Sequence, residues 1–329
     1  MTVLQESLTI LQNCPHRRSA LLYPTARLVT IVSTGPTSVM SPPLQRPQIR
    51  CREIREGDFA GVAELLSKSF GSQQCQLLRL RRLAEREVPA GLPKVGYLLE
   101  SAGTVVGAVL MISSAISRNG AAFIRCNLSS WYVEPEFRGT APLLIARALK
   151  HKNVTYVNVT ARPNTWSIVE AQGFSRYSKG VFVAVPALNR CREPARVALF
   201  DAEARDGLDA VECALLSDHA SFGCFSIVCR TPEGAYPFVF ARRHLKGMIP
   251  GVQLVYCRSI EEFVRYAGRI GRFLAARGVL CVLIDANGAI DGLKGRYFGG
   301  MMPKFARGRD GVRQGDLAYT NIAVFGDLW

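Results

Sequence analysis

From residue 49 onward the chain alternates short strand-like stretches with stretches of helical periodicity. Residues 49–54 alternate apolar and polar positions, and Asp58 then stands where a helix N-cap belongs. Phe59, Val62, Leu65, Leu66 and Phe70 follow at helical spacing, so a strand feeding an amphipathic helix is the expected opening. A second helical stretch over residues 73–87 stops before Val88-Pro89. Residues 95–100 and 105–112 flank Ser101-Ala102-Gly103 as a hairpin, and residues 121–133 add a third strand. The pattern then alternates: loop 134–139, helix 141–152, strand 154–159, helix 164–172, strand 177–185. Strands first, then strand, helix and strand, imply an α/β fold whose mixed sheet is antiparallel at one end and parallel where the crossover helix lies.

The second half repeats this scheme weakly. A helix is expected over residues 202–219, strands over 225–229, 237–241 and 253–257, and a helix over 260–277. That last helix carries a capping box of Ser259 and Glu262, an apolar face that includes Phe263, Ala267, Ile270 and Leu274, and Gly278 as its stop. Residues 279–284 and the final 317–325 read as strands. Residues 131–159 and 254–285 run through the same order of elements, which points to an internal duplication. The expected organisation is a loosely attached leader at 1–48, a first domain at 49–190 and a second at 197–329. The leader ends in the prolines between Pro42 and Pro47, with Met40 as a second candidate start.

With 329 residues and 48% apolar composition the chain can bury a large core, and two domains suit that length. A net charge of +15 calls for an acidic partner, such as nucleic acid, a membrane surface or a polyphosphorylated cofactor. The arginines are scattered in ones and twos rather than gathered in a stripe with aromatics, which disfavours nucleic acid. None of the ten cysteines forms a Cys-x-x-Cys pair, and the four histidines lie far apart, so reduced core thiols and no metal site are expected. No run approaches the ~20 apolar residues of a membrane span. Gln5 and Glu6 stand where a secretion signal would be basic, so the expected compartment is the cytoplasm.

The segment Trp131-Tyr132-Val133-Glu134-Pro135-Glu136-Phe137-Arg138-Gly139-Thr140 resembles the strand and pyrophosphate loop of the GNAT acyltransferase superfamily. Residues 49–70, the hairpin around Gly103 to Gly107 and the closing Glu170-Ala171-Gln172-Gly173-Phe174 match further parts of that family in the same order. The resemblance covers most of residues 49–186, and the second domain would be a degenerate copy. It implies transfer of an acyl group from acetyl-CoA or another acyl-CoA to an amine, or a hydroxyl, of a small-molecule or peptide acceptor. It also implies that main-chain groups of Trp131, Tyr132 and Val133 meet the pantetheine, and that Arg138, Gly139, Thr140, Ala141, Leu143 and Leu144 surround the pyrophosphate. Asn164 is a further implied contact. Physical chemistry supports such a corner, because a turn opening a helix presents unpaired N–H groups and the positive end of a dipole to an anion.

The departures from the family pattern are specific. Where the family has Arg-Gly-x-Gly-x-Gly, this chain has Ala141 and Leu143 in place of two glycines. Val169 stands where the family often places a tyrosine acid, and no Asp or Glu occurs between Ser113 and Val133 to act as base, so no catalytic residue is assigned. In the second half, Arg258-Ser259-Ile260-Glu261-Glu262 replaces the loop, and its carboxylates should repel a pyrophosphate. Two other function classes remain open: a catalytically silent GNAT-like protein that binds a ligand or partner, and an aminoacyl-tRNA dependent transferase.

Overall fold

The computed structural model describes residues 48–118, 121–191, 193–201, 205–245, 249–308 and 312–326, so the expected leader lies outside the described residues. The first half runs β1 (Ile49–Glu53), α1 (Phe59–Phe70), α2 (Gln73–Glu85), β2 (Gly96–Ser101), β3 (Thr104–Arg118), β4 (Ala121–Val133), α3 (Ala141–Ala148), β5 (Val154–Asn158), α4 (Trp166–Ala171) and β6 (Ser175–Ala184). The second runs β7 (Arg196–Leu199), α5 (Ala210–Ser221), β8 (Phe225–Thr231), β9 (Gly234–Leu245), β10 (Ile249–Cys257), α6 (Ile260–Ala275), β11 (Cys281–Ala286), β12 (Gly295–Arg307) and α7 (Asn321–Val324). This is the expected α/β class with a mixed sheet.

All twelve strands form one sheet in the order β1-β2-β3-β4-β5-β12-β6-β11-β10-β9-β8-β7. The order reads alike from both ends: each half contributes five strands outward from the centre, and each half's sixth strand lies against the other half's fifth. Parallel pairing occurs between β4 and β5 and between β10 and β11. Ile124 faces Val154 in one pair and Gly251 faces Cys281 in the other, the same separation of 30 residues. Helices α3 and α6 are the crossovers that parallel neighbours require.

Two sequence expectations need correction, and one strand was not expected at all. The helix expected from residue 202 begins at Ala210, because Gly207 takes a left-handed φ of 79° and Asp209 caps the helix by accepting from the Glu212 N–H at 2.7 Å. Strand β12 had no clear signal in sequence, because glycines and Pro303 punctuate it. Gly295 is there because a Cβ would sit 2.3 Å from the Val183 carbonyl on β6, and a register shift between Gly299 and Lys304 absorbs Pro303. Residues 317–325, expected as a strand, form a turn and the short α7, with the Ala323 and Val324 N–H groups both donating to the Thr320 carbonyl. An apolar run buried on all sides carries no period that separates strand from helix.

That terminal segment ties the two halves together on one face of the sheet. Val324 and Phe325 pack with Val62, Leu66, Leu80 and Leu83 of α1 and α2, while Leu317, Ile322 and Ala323 pack with Leu215 and Leu216 of α5. Arg125 on β4 donates to Asp316 Oδ1 at 3.1 Å and also to the Ala318 carbonyl, an ion pair almost wholly out of water. His219 holds the segment from the other side, with its Nδ1 2.7 Å from the Leu215 carbonyl and its Nε2 accepting from the Tyr319 N–H at 3.0 Å. The ring must therefore be neutral with its proton on Nδ1, and burial lowers its pKa to about 4.

Because the folded pKa lies below that of a free histidine, this arrangement adds stability that is fully present above about pH 6.5 and is lost as pH falls through 4. The contribution is about 3 kcal/mol. Urea midpoints measured from pH 7 to pH 4 should fall steeply in the natural protein and less steeply in His219→Gln; equal slopes would remove His219 as the source.

Candidate functional site

The parallel pairing of β4 and β5 ends at Asn127 and Val157, yet β4 itself continues to Val133 while β5 stops at Asn158. The two strands thus part, and the Asn127 side chain fills the fork. Its Nδ2 donates to the Leu128 and Val157 carbonyls at 3.1 Å each, and its Oδ1 accepts from the Asn321 N–H at 2.7 Å. Past the fork, β4 bulges against β3: Ser129 pairs with Leu110 and Tyr132 with Ala108, leaving Ser130 and Trp131 opposite Val109. Ser130 takes a left-handed φ of 47°, a conformation that costs a non-glycine residue on the order of 1–3 kcal/mol. Bulges re-aim main-chain groups out of the ladder.

Trp131, Tyr132 and Val133 form the end of β4 that no longer pairs with β5, while Tyr132 and Val133 still pair with β3. Val133 is buried in the core beneath α3, Trp131 packs at its margin, and the Tyr132 hydroxyl donates to Glu134 Oε2 at 3.2 Å. Glu134 also pairs with Lys68 of α1. Burial first, and then Glu134, pushes the Tyr132 pKa above its ordinary value. The corner, α1 and the β2–β3 turn enclose an open cleft of about 430 Å³ lined by Glu64, Lys68, Val105, Glu134 and Phe137 among others.

The corner itself differs from the open loop expected. Pro135–Thr140 is a 3₁₀ helix that runs directly into α3, and its hydrogen bonds consume the N–H groups of Phe137 and Ala141, which donate to Glu134 and Arg138 carbonyls. Thr140 neither caps α3 nor offers its hydroxyl outward, because Oγ1 donates to the Phe137 carbonyl at 2.7 Å. Leu144 is fully buried in the core, so its side chain cannot touch a ligand, and Ala141 packs at the edge of the same core. Leu143, by contrast, is exposed. Arg138 and Gly139 are exposed too, and open space surrounds the point where a Gly139 side chain would begin. Pro142 lies in the first turn of α3, where its missing N–H costs little.

Beyond β5, Asn164 is exposed in the 3₁₀ turn Pro163–Thr165 ahead of α4. Arg162 beside it donates to the Ser69 carbonyl at 2.5 Å and lies 4.9 Å from the Phe70 ring centre. The C-terminal end of α1 is thereby tied to the chain leaving β4 through Lys68 and to the chain leaving β5 through Arg162. The structure thus brings Trp131, Tyr132, Val133, Arg138 and Gly139 to one strand end and its corner. Asn164 stands on the β5 side.

Several side chains on the elements around the parting are committed elsewhere. Glu100 accepts from Arg52 at 2.8 Å, Val169 is buried in the core, and Arg125 is held by Asp316. The thiol of Cys126, next to the fork, is pushed up to about 12 by burial and is no nucleophile at neutral pH. Sequence reasoning missed Asp316, Thr320 and Asn321, whose polar side chains interrupt the apolar terminal run and so were its one available signal.

No family profile matches this sequence, and no curated protein does. Solved structures do. A conserved protein of unknown function from Enterococcus faecalis V583, described as a probable N-acyltransferase, superposes with a TM-score of 0.51 over 79% of this chain and 72% of its own, at 13% identity. The chain has the GNAT fold. A GCN5-related N-acetyltransferase from Kribbella flavida matches with a TM-score of 0.51 at 14% identity, over 79% of this chain and 71% of that one. Another from Anabaena variabilis ATCC 29413 gives 0.50 at 11% identity, with 79% and 72% covered. In this GNAT fold β4, β5 and α3 carry the parting strands and the corner. Among the described residues, no helix is long and apolar enough to cross a membrane.

Proposed function

We propose that the chain is an acyl-CoA dependent N- or O-acyltransferase whose cofactor lies in the parting of β4 and β5. The observation that carries this reading is the end of parallel pairing at Asn127 and Val157, followed by the bulge at Ser130. Main-chain groups of β4 released from the ladder suit an extended ligand with amides of its own. The strand end therefore fits the pantetheine arm. The corner fits the pyrophosphate less completely: exposed Arg138 supplies charge and Gly139 supplies room, while part of the N–H cradle is spent inside the 3₁₀ helix. Bound acyl-CoA would supply an activated thioester. The protein would hold it and present the β4 main chain to the charge that grows on its oxygen.

In this reading residues 49–190 and 197–329 are a tandem pair that exchanged their sixth strands, and the second half carries no cofactor. Its crossover helix α6 is regular from its first residue, with Ser259 accepting from the Glu262 N–H at 3.1 Å and two carboxylates in the first turn. Arg258 at that corner is already paired with Glu212 at 2.6 Å. Past the Gln253–Leu283 pair, where β10 and β11 cease to pair, buried Asp285 faces Lys304, which donates to the Val159 carbonyl at 2.8 Å. Gln253 Nε2 donates to Asp285 Oδ1 at 3.3 Å, so an ion pair and an amide occupy that second parting.

A silent binding protein is the second reading, favoured by the spent N–H groups and by the commitment of Glu100, Glu134 and Arg125 to ion pairs. Thiol release from acetyl-CoA over a panel of amines separates the two. Arg138→Glu should weaken acetyl-CoA binding by about 30-fold or more, since a charge-assisted contact is worth about 2 kcal/mol, and should leave the melting temperature unchanged. Undiminished affinity would remove Arg138 from the site.

A further inference from the structure

We infer that Asn321, supplied by the terminal segment of the second half, makes a side-chain hydrogen bond to a ligand lying in the β4–β5 parting. The inference rests on the reading of that parting as the cofactor site and adds a contact from the opposite end of the chain.

Asn321 sits at the fork from both sides. Its main-chain N–H donates to Asn127 Oδ1, on the last paired residue of β4, and its Nδ2 donates to Thr160 Oγ1 at 2.8 Å, two residues beyond the end of β5. The residue is 1% exposed, yet its Oδ1 has no hydrogen-bond partner. An amide oxygen has capacity for two hydrogen bonds, and leaving it bare in the interior costs about 1–3 kcal/mol. Its chain neighbours Ile322, Ala323 and Val324 are apolar and fully buried, so the amide is a polar group set into an apolar segment. Exchanging the two ends of the amide only moves the deficit, since Thr160 can donate as well as accept and one end still lacks a partner. Thr160 itself is half-buried, so the pair lies under the rim of the parting rather than deep in the core.

The missing partner is a polar group that arrives between the strands. Where β4 runs on without β5, the ligand that fits is an extended chain carrying secondary amides, and an amide N–H is the donor that a bare carbonyl oxygen accepts. The pantetheine arm has that chemistry, whereas the adenosine end of the same molecule would lie at the Arg138 corner. Asn321 would therefore read the arm and not the nucleotide.

The test uses the full chain and two probes, coenzyme A and adenosine 3′,5′-bisphosphate, titrated by calorimetry. The double variant Thr160→Val with Asn321→Leu replaces both members of the pair by apolar groups of similar size. Such a change is close to neutral for stability when the pair has no other role. The expected result is a loss of about tenfold in affinity for coenzyme A, unchanged affinity for the bisphosphate, and a melting temperature equal to or above that of the natural protein. Asn321→Thr, which keeps a hydroxyl toward Thr160 but withdraws the carbonyl, should show the same split. Unchanged affinity for coenzyme A in both variants overturns the inference, as does an equal loss for both probes, which would mark a role in folding. If the natural protein binds neither probe, the cofactor reading falls with it.

Discussion

A chain ending at Gly315 is expected to be unfolded in buffer at 25 °C. The residues it would lose include Leu317, Ile322, Val324 and Phe325, each no more than 1% exposed. Full burial of such side chains is worth about 1.5–3 kcal/mol apiece, so the four account for about 6–12 kcal/mol. That is comparable with the whole stability of an ordinary domain, about 5–15 kcal/mol. Truncation would also strip Arg125 of its carboxylate and open the cores on both sides of the segment at once, because α1 and α2 pack on one flank of it and α5 on the other. Circular dichroism should show no cooperative thermal transition. A truncated chain that melts cooperatively near the temperature of the full one would mean that the segment is an ornament.

Arg125→Met should cost about 3–5 kcal/mol, the usual effect of breaking a buried ion pair from one side. The loss arises because Asp316, 5% exposed, is left buried without its guanidinium partner, with Arg313 Nε 3.9 Å from its other oxygen and the Ala318 N–H 3.3 Å from Oδ1 among its other contacts. Converting the partner as well, in Arg125→Met with Asp316→Leu, should recover much of that loss, since two apolar groups can replace a buried pair with little penalty. Urea midpoints for the two variants check both statements. A double variant no better than the single one would show that the aspartate's bond to the Ala318 N–H, and not the ion pair, holds the turn.

The legible part of this chain is the part whose elements are half-buried. Helix α6 shows a seam of apolar residues and a capping box, because one face meets the sheet and the other meets water, and its sequence expectation at 260–277 lies close to the observed Ile260–Ala275. The illegible part is the centre. β12 lies between β5 and β6, where Gly180 and Gly295 permit backbones to approach so closely that a Cβ at either would fall within 2.4 Å of a carbonyl oxygen. Residues chosen for closeness carry no alternation. Nor does any local pattern announce that a half's last strand belongs beside the other half's fifth, since the paired residues are roughly a hundred positions or more apart in the chain.

The candidate site divides along the same line. Strand end, corner and crossover helix were readable from Trp131 to Leu144 because they are contiguous. The fork's remaining groups, Asp316 and Asn321, arrive from nearly two hundred residues away through side-chain bonds to Arg125 and Asn127. The corner differs in one respect from the loop expected at 134–139: residues Pro135–Thr140 form a 3₁₀ helix whose hydrogen bonds spend the N–H groups of Phe137 and Ala141. Ala141 and Leu143 lie in the first turn of α3, where they favour the helical conformation more than glycine would.

Hydrogen–deuterium exchange on the full chain, with and without saturating acetyl-CoA, tests the central claim most directly. The account predicts slower exchange at the β4 amides from Ser129 to Val133 and across the corner at Arg138 and Gly139, with no change along β10 and β11. Protection confined to the second half, or no ligand-dependent change at the end of β4, would contradict it.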